Sequence, residues 1–253
     1  MQKVVFYTQH PANQTITQFF AKSQNLMYEN VSNYQKYQNI NFVSYGILRG
    51  TGEIFQNTEN FFYIDHGYLN SSKRKFNNND IIIEGFTGYF RIVKNNFYFN
   101  KDFKNKDKKR FEKLNISLKE LNNNGEYIVL SEPSRHIINF LGIHDWTENT
   151  VNKIKSLTDR EIIIHNKFSE ISLNDVLKKA YAFVSCQSTA AFKAIAEGIP
   201  AYFTHRSLND FGNLNDIDNR YLNHDLLYLA ANSQWKLKEF FGDEFKEFLN
   251  SLE

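Results

Sequence analysis

The sequence predicts an α/β protein built on parallel sheet, and three observations lead there. Between residues 127 and 203, short apolar runs alternate with segments of helical period, the mark of strand–helix–strand units. Runs such as Ala182-Phe183-Val184 are continuously apolar, as strands covered on both faces are. The N-terminal half adds further short β-branched and aromatic runs that end at Gly or Asp.

In order, strands are expected at Lys3–Tyr7, Asn41–Ile47, Phe61–Ile64, Asp80–Glu84 and Tyr89–Val93, with a weak helix at Thr15–Leu26. The segment KDFKNKDKKRFEK, residues 101–113, has no apolar face of useful width and reads as surface near a domain boundary. Strands follow at Tyr127–Leu130, Glu161–Ile164, Ala182–Ser185 and Ala201–Phe203. Between them come helices at Thr147–Leu157, Leu173–Ala180 and Ser188–Glu197, the last closed by Gly198. Gln234–Leu249 is amphipathic through Trp235, Leu237, Phe240, Phe241, Phe245 and Phe248, and reads as one helix. It packs either on its own domain or back on the N-terminal one. The 253 residues suit one large α/β domain or two small ones, here 1–115 and 116–232 with a closing segment 233–253.

Composition excludes several classes. At 42% hydrophobic and 23% charged residues the chain is of globular type, and a formal charge of +2 does not by itself imply a nucleic-acid partner. The lone Cys186 cannot form an intramolecular disulfide, which points to a reducing compartment. No apolar run approaches the ~20 residues that span a bilayer, so a cytosolic protein without a membrane span is expected.

The stretch SCQSTAAFKAIAEGIPAYF, residues 185–203, carries the most chemistry. Val184 ends a parallel strand, the turn through Ser185, Gln187 and Ser188 follows, and a helix begins at Thr189 with unpartnered N–H groups. That geometry suits a phosphate, with the hydroxyls of Ser188 and Thr189 as added donors. It equally suits a plain N-cap with no ligand. The P-loop and the dinucleotide G-x-G-x-x-G are both missing. The chain is read as having no Asp-x-Asp of the kind that holds a divalent ion against a diphosphate, and one Cys with scattered His offers no ligand spacing. Metal independence is therefore expected.

AYAFVSCQSTAAFKAIAEGIPAYF resembles the nucleotide-binding half of GT-B glycosyltransferases and related capsular-polysaccharide transferases. The resemblance implies Ser188 and Thr189, beside Gln187, at a donor diphosphate and Glu197 at the ribose. YGILRG, FFYIDHGY, GYFRIVKN, TDREIIIHNK and YLAANSQWKLKEF, spread over residues 43–241, resemble a family of phage-encoded glycosyltransferase-like proteins. There an Arg often stands where this chain has His165, before Asn166 and Lys167. The implied fold is GT-B-like: two Rossmann-like halves facing a cleft, 1–115 on the acceptor side and 116–232 binding a nucleotide-sugar, with the C-terminal helix of 233–253 packing back on the N-terminal domain.

The implied reaction moves a sugar from an NDP-sugar co-substrate, UDP-sugar being the first choice, to a hydroxyl acceptor, with no other cofactor. Asp65, at the end of a strand and shortly before Gly67, is the preferred candidate for general base, with His66 its close rival and Glu53, in a segment that suits a flexible loop equally well, a weaker one. Asp before Gly is also ordinary turn chemistry. Arg135, with His136 beside it, and His165 with Lys167 stand at the ends of two further strands and suit the leaving diphosphate, or are simply solvated. Arg91 is the matching cation of the acceptor side. Two basic clusters, Lys73-Arg74-Lys75 and the 101–113 segment with Lys101, Lys108, Lys109 and Arg110, would suit DNA carrying a modified pyrimidine as acceptor. They are also compatible with solvated surface. A capsule or surface polysaccharide acceptor, and a binding protein that keeps the fold without chemistry, are the alternatives.

Overall fold

The computed structural model describes residues 2–35, 40–71, 86–100 and 102–253. The strand expected at Asp80–Glu84, the triplet Lys73-Arg74-Lys75 and Lys101 lie outside them. The chain divides into two units, Met1–Phe103 with Asn232–Glu253, and Lys104–Ala231. The division falls between Phe103 and Lys104, ahead of the change placed near residue 115 on sequence grounds.

The first unit begins with β1 (Gln2–Tyr7), α1 (Pro11–Gln24), β2 (Met27–Asn30), β3 (Ile40–Tyr45), α2 (Thr51–Gln56), β4 (Phe61–His66) and β5 (Phe90–Lys94). Pro11 sits in the first turn of α1, where its missing N–H costs nothing, and the helix ends at Asn25 in the left-handed region (φ 50°). Asn13 in its first turn is buried. It accepts from Thr8 N (2.8 Å) and donates to Tyr45 O (2.7 Å), tying α1 to the ends of β1 and β3.

The second unit contains α3 (Lys108–Glu112), β6 (Tyr127–Ser131), α4 (Arg135–Leu141), α5 (Trp146–Lys155), β7 (Ile162–His165), α6 (Leu173–Leu177), β8 (Ala180–Ser185), α7 (Ala190–Ala196), β9 (Ala201–Phe203) and α8 (His224–Asn232), whose last residue opens the returning segment. β10 (Gln234–Trp235), a 3-10 turn at Leu237–Phe241 and α9 (Asp243–Ser251) then complete the first unit. The single helix expected over Gln234–Leu249 is therefore three pieces. Gly242, with extended backbone (φ −85°, ψ 158°), ends the 3-10 turn and serves as N-cap of α9.

The protein is thus α/β with two sheets. The six-stranded sheet has the order β10-β5-β4-β3-β1-β2 and the four-stranded sheet β7-β6-β8-β9. In the first, β2-β1-β3-β4 are parallel, β5 runs antiparallel to β4, and β10 pairs antiparallel with β5 at that edge; the second is parallel throughout. Both parallel parts repeat one winding, the first strand flanked by the second and third, which is consistent with two Rossmann-like halves.

Both faces of the first sheet are covered, which explains its unbroken apolar runs. Val4, Phe6, Phe42, Phe61 and Tyr63 pack on one face with Phe55. Val5, Val43, Phe62 and Ile64 pack on the other with Ile16 and Phe20, joined there by Trp235, Phe240, Phe245 and Phe248 of the returning segment. The second unit packs Ile128, Leu130, Ala182, Val184 and Tyr202 against Ile154, Leu214 and Ile217. After α7 the chain turns at Gly198 (φ 84°), where a Cβ would stand 2.1 Å from the Glu120 carbonyl oxygen, so only glycine fits. Among the described residues, no helix is long and apolar enough to cross a membrane.

Candidate functional site

In the second unit, β6 leads to β7 on one side, and the chain then crosses to β8 on the other. The connections leaving β6 and β8 diverge, and doubly wound sheets open a crevice at the carboxyl ends of such strands. A cavity of about 750 Å³ lies there. Ser131–His136 and Ile138 line it after β6, His165–Phe168 and Leu173 after β7, and Ser188 and Ala190 after β8.

Each connection is set by local chemistry. After β6, the Glu132 amide donates to His165 O (3.0 Å), extending the β6–β7 pairing by a residue. Ser134 then caps α4, although its hydroxyl stands a long 3.5 Å from Ile137 N, and Arg135 and His136 occupy the exposed first turn.

The connection after β7 is organised by Asn166. Its amide donates to Ser169 Oγ (3.0 Å), its Oδ1 accepts from Phe168 N (2.9 Å) and its Nδ2 donates to Glu132 Oε2 (3.0 Å). His165 Nε2 lies 3.0 Å from Ile171 O; a carbonyl only accepts, so Nε2 carries the proton in that contact. Thr147 on α5 donates to the other oxygen of Glu132 (3.1 Å).

After β8, Ser188 N donates to Ser185 Oγ (3.2 Å) and Ser188 Oγ accepts from Ala190 N (3.2 Å). The helix starts at Ala190 rather than at Ser188, because Ser188 is spent on the turn and Thr189 makes no side-chain cap bond. Gln187 Oε1 is buried without a hydrogen-bond partner among the described residues.

Of the residues expected at a donor, Arg135, His165, Lys167 and Ser188 meet in this cavity. Gln187 and Thr189 adjoin Ser188 but are not among its lining residues. Glu197, expected at a ribose, closes the opposite end of α7 and pairs with Lys119 (2.5 Å). Seven helical residues, a length of about 10 Å, separate it from the turn at Ser188.

Asp65, His66, Arg91 and Glu53 belong to the first unit. Asp65 Oδ2 accepts from Tyr63 Oη (2.7 Å) and Arg91 Nη2 (2.8 Å), and Oδ1 from the His66 amide (2.8 Å). Burial pushes its pKa up, but Arg91, His66, the Tyr63 hydroxyl and the His66 amide outweigh this, and the carboxyl lies below its ordinary value. Arg91 is 6% exposed, sits 5.2–5.9 Å from the ring centroids of Tyr98, Tyr68 and Tyr63, and donates to His66 O (2.8 Å). It holds the β4–β5 pair together from inside. His66 Nε2 lies 3.2 Å from Tyr45 Oη, and Glu53 is exposed in the first turn of α2.

Lys108, Lys109 and Arg110 open α3 in the unit that carries the cavity, not in the unit of Asp65. Arg110 Nε donates to Ala231 O (3.2 Å), Lys108 Nζ stands 5.3 Å from the Tyr228 ring, and Lys109 Nζ lies 3.9 Å from Asp107. Lys106 pairs with Asp225 (2.6 Å).

An Asp-x-Asp does occur, at Asp216-Ile217-Asp218, contrary to the sequence reading. The two acids are exposed on either side of a buried Ile217, and neither lines the cavity. Among the described residues, no three His, Cys, Asp or Glu side chains are grouped as a metal would need. Sequence reasoning also passed over Glu132, Asn166 and Phe168. A strand-end acid directly after the apolar run of β6 was the available signal for Glu132.

Compared with protein-family models and with curated proteins, the sequence matches none.

Proposed function

We propose that the chain is a glycosyltransferase of the GT-B kind that moves a sugar from an NDP-sugar to a hydroxyl acceptor. The unit 104–231 takes the donor and the other unit serves the acceptor. One observation carries the reading: three strand-end connections of a parallel sheet bring Arg135, His165, Lys167 and Ser188 to a single cavity of about 750 Å³. That size and that mix of cations and hydroxyls suit a nucleotide with a diphosphate.

In the reaction, the acceptor oxygen bonds the anomeric carbon as the bond from that carbon to the phosphate oxygen breaks, and a base takes the hydroxyl proton. Arg135 and Lys167 face the charge that builds on the departing diphosphate, the largest electrostatic demand of such a step. For the base, His66 is favoured over Asp65, whose two oxygens already hold Arg91, Tyr63 and the His66 amide. A DNA acceptor draws little support from the basic segment, since Lys106, Lys108 and Arg110 are engaged by Asp225, Tyr228 and Ala231.

The test is calorimetry with a panel of NDP-sugars, followed by slow donor hydrolysis without acceptor. Binding with hydrolysis supports a transferase, and binding without hydrolysis identifies a non-catalytic binder. If no NDP-sugar binds, the reading is wrong.

A further inference from the structure

We propose that Glu132 and Phe168 form a nucleoside receptor in the cavity, the carboxylate accepting the hydroxyls of a ribose diol and the ring stacking on the base. The inference rests on the reading that a diphosphate-bearing donor occupies this cavity.

Cations gather around the site, and Glu132 is the acid among the residues that line it. A carboxylate repels phosphate, so its presence in such a lining calls for a ligand group that donates. Its two oxygens take one protein donor each, from Thr147 (3.1 Å) and Asn166 (3.0 Å). A carboxylate offers about four acceptor positions, so about two are left for a pair of hydroxyls. The two protein donors also fix the plane of the carboxylate before any ligand arrives, which cuts the ordering cost of binding.

Phe168 is 82% exposed at the same cavity. A single exposed aromatic is ordinary on a protein surface; its mounting here is less so. Asn166 Oδ1 holds the Phe168 amide (2.9 Å), while Nδ2 of the same side chain holds Glu132. One amide therefore positions both the carboxylate and the backbone that carries the ring. Lys167 Nζ lies 4.8 Å from the ring centroid, and Ile138 and Leu173 add apolar wall. Pyrophosphate or a sugar phosphate would satisfy only the cations. A ligand that also uses the acid and the ring carries a diol and a flat heterocycle, as a ribonucleoside diphosphate does.

The test compares, by calorimetry, the tightest-binding of the four common ribonucleoside diphosphates, its 2′-deoxy counterpart and pyrophosphate. Wild type binds the ribonucleotide at least about tenfold tighter than the deoxynucleotide, as expected for a lost hydrogen bond to a charged group. Glu132→Gln brings that ratio toward one without weakening pyrophosphate. Phe168→Ala weakens both nucleotides roughly five- to hundredfold and leaves pyrophosphate unchanged. Equal affinity of wild type for ribo- and deoxynucleotide, or for nucleotide and pyrophosphate, overturns the inference while leaving a diphosphate site in place. So does a parallel loss of all three ligands in either variant. If wild type binds none of the three, the donor reading falls with it. The wild-type comparison needs no variant to fold.

Discussion

Asp65 and Arg91 stand directly opposite each other in the antiparallel β4–β5 ladder, and their side chains meet at 2.8 Å with the arginine almost wholly buried. The pair is a structural clamp, and removing one partner strands the other. Asp65→Asn is expected to destabilise the protein by about 2–3 kcal/mol, less than for a fully buried pair because 23% of the aspartate side chain stays exposed. Urea unfolding measures this; an unchanged midpoint would contradict the clamp.

The same pair sets an acid limit. Burial raises the Asp65 pKa, but Arg91, His66 and Tyr63 leave it below the ordinary carboxyl value, so the folded state binds this proton less readily than the unfolded chain. Its stabilisation is complete above the unfolded pKa of about 3.9 and is lost as pH falls through the lower folded value. The stability of Asp65→Asn should therefore fall less steeply than wild type below about pH 4. Parallel curves would rule out this linkage.

If His66 is the base, His66→Asn lowers transfer by roughly 10²–10⁴-fold, with donor binding intact. Near-normal turnover in single-turnover assays would clear His66 of that role and direct the search to Glu53.

Ser188→Ala removes the acceptor for Ala190 N and should cost about 1 kcal/mol, whereas Thr189→Ala, with no cap bond to lose, should cost less. Donor affinity of the double variant is expected to fall by more than stability does. Unchanged affinity would reduce the turn to a cap.

Gly198→Ala forces a Cβ into the Glu120 carbonyl at a positive φ and should cost roughly 2 kcal/mol or more. Thermal unfolding reads this directly, and a neutral result would mean that the irregular segment at Glu120 yields easily.

Replacing Lys108, Lys109 and Arg110 with Gln tests the basic segment. Arg110 should dominate a stability loss of about 1 kcal/mol through its bond to Ala231 O, with Lys109 contributing almost nothing. Duplex DNA binding that is steeply salt-dependent in wild type and flattened in the variant would instead restore a DNA-tracking role.

The strands most readable in the sequence were those buried on both faces. Ala201–Phe203 has the expected bounds, and Tyr127–Ser131 differs from expectation by one residue. β2 escaped notice because MYEN is short, half-polar and at a sheet edge, so its burial pattern carries no period. α8 and the split in the C-terminal segment were also missed; the aromatic stripe there is continuous in sequence, while the backbone breaks at Gly242. At the candidate site, cations and hydroxyls were visible because their chemistry attaches to strand ends. Glu132 shares that strand-end position, but what singles it out are its partners Thr147 and Asn166, which lie 15 and 34 residues away and meet it only through the fold.

The chain leaves its first unit at Phe103 and returns to it at Asn232. During synthesis, the first hundred residues emerge without β10 and without Trp235, Phe240, Phe245 and Phe248, which fill one face of their core. The nascent N-terminal unit must wait, with Ile16, Phe20 and Phe62 incompletely covered, until all of 104–231 has been made. The inserted unit is continuous and can fold as it leaves the ribosome. The unit that is translated second can therefore complete its core before the unit that is translated first.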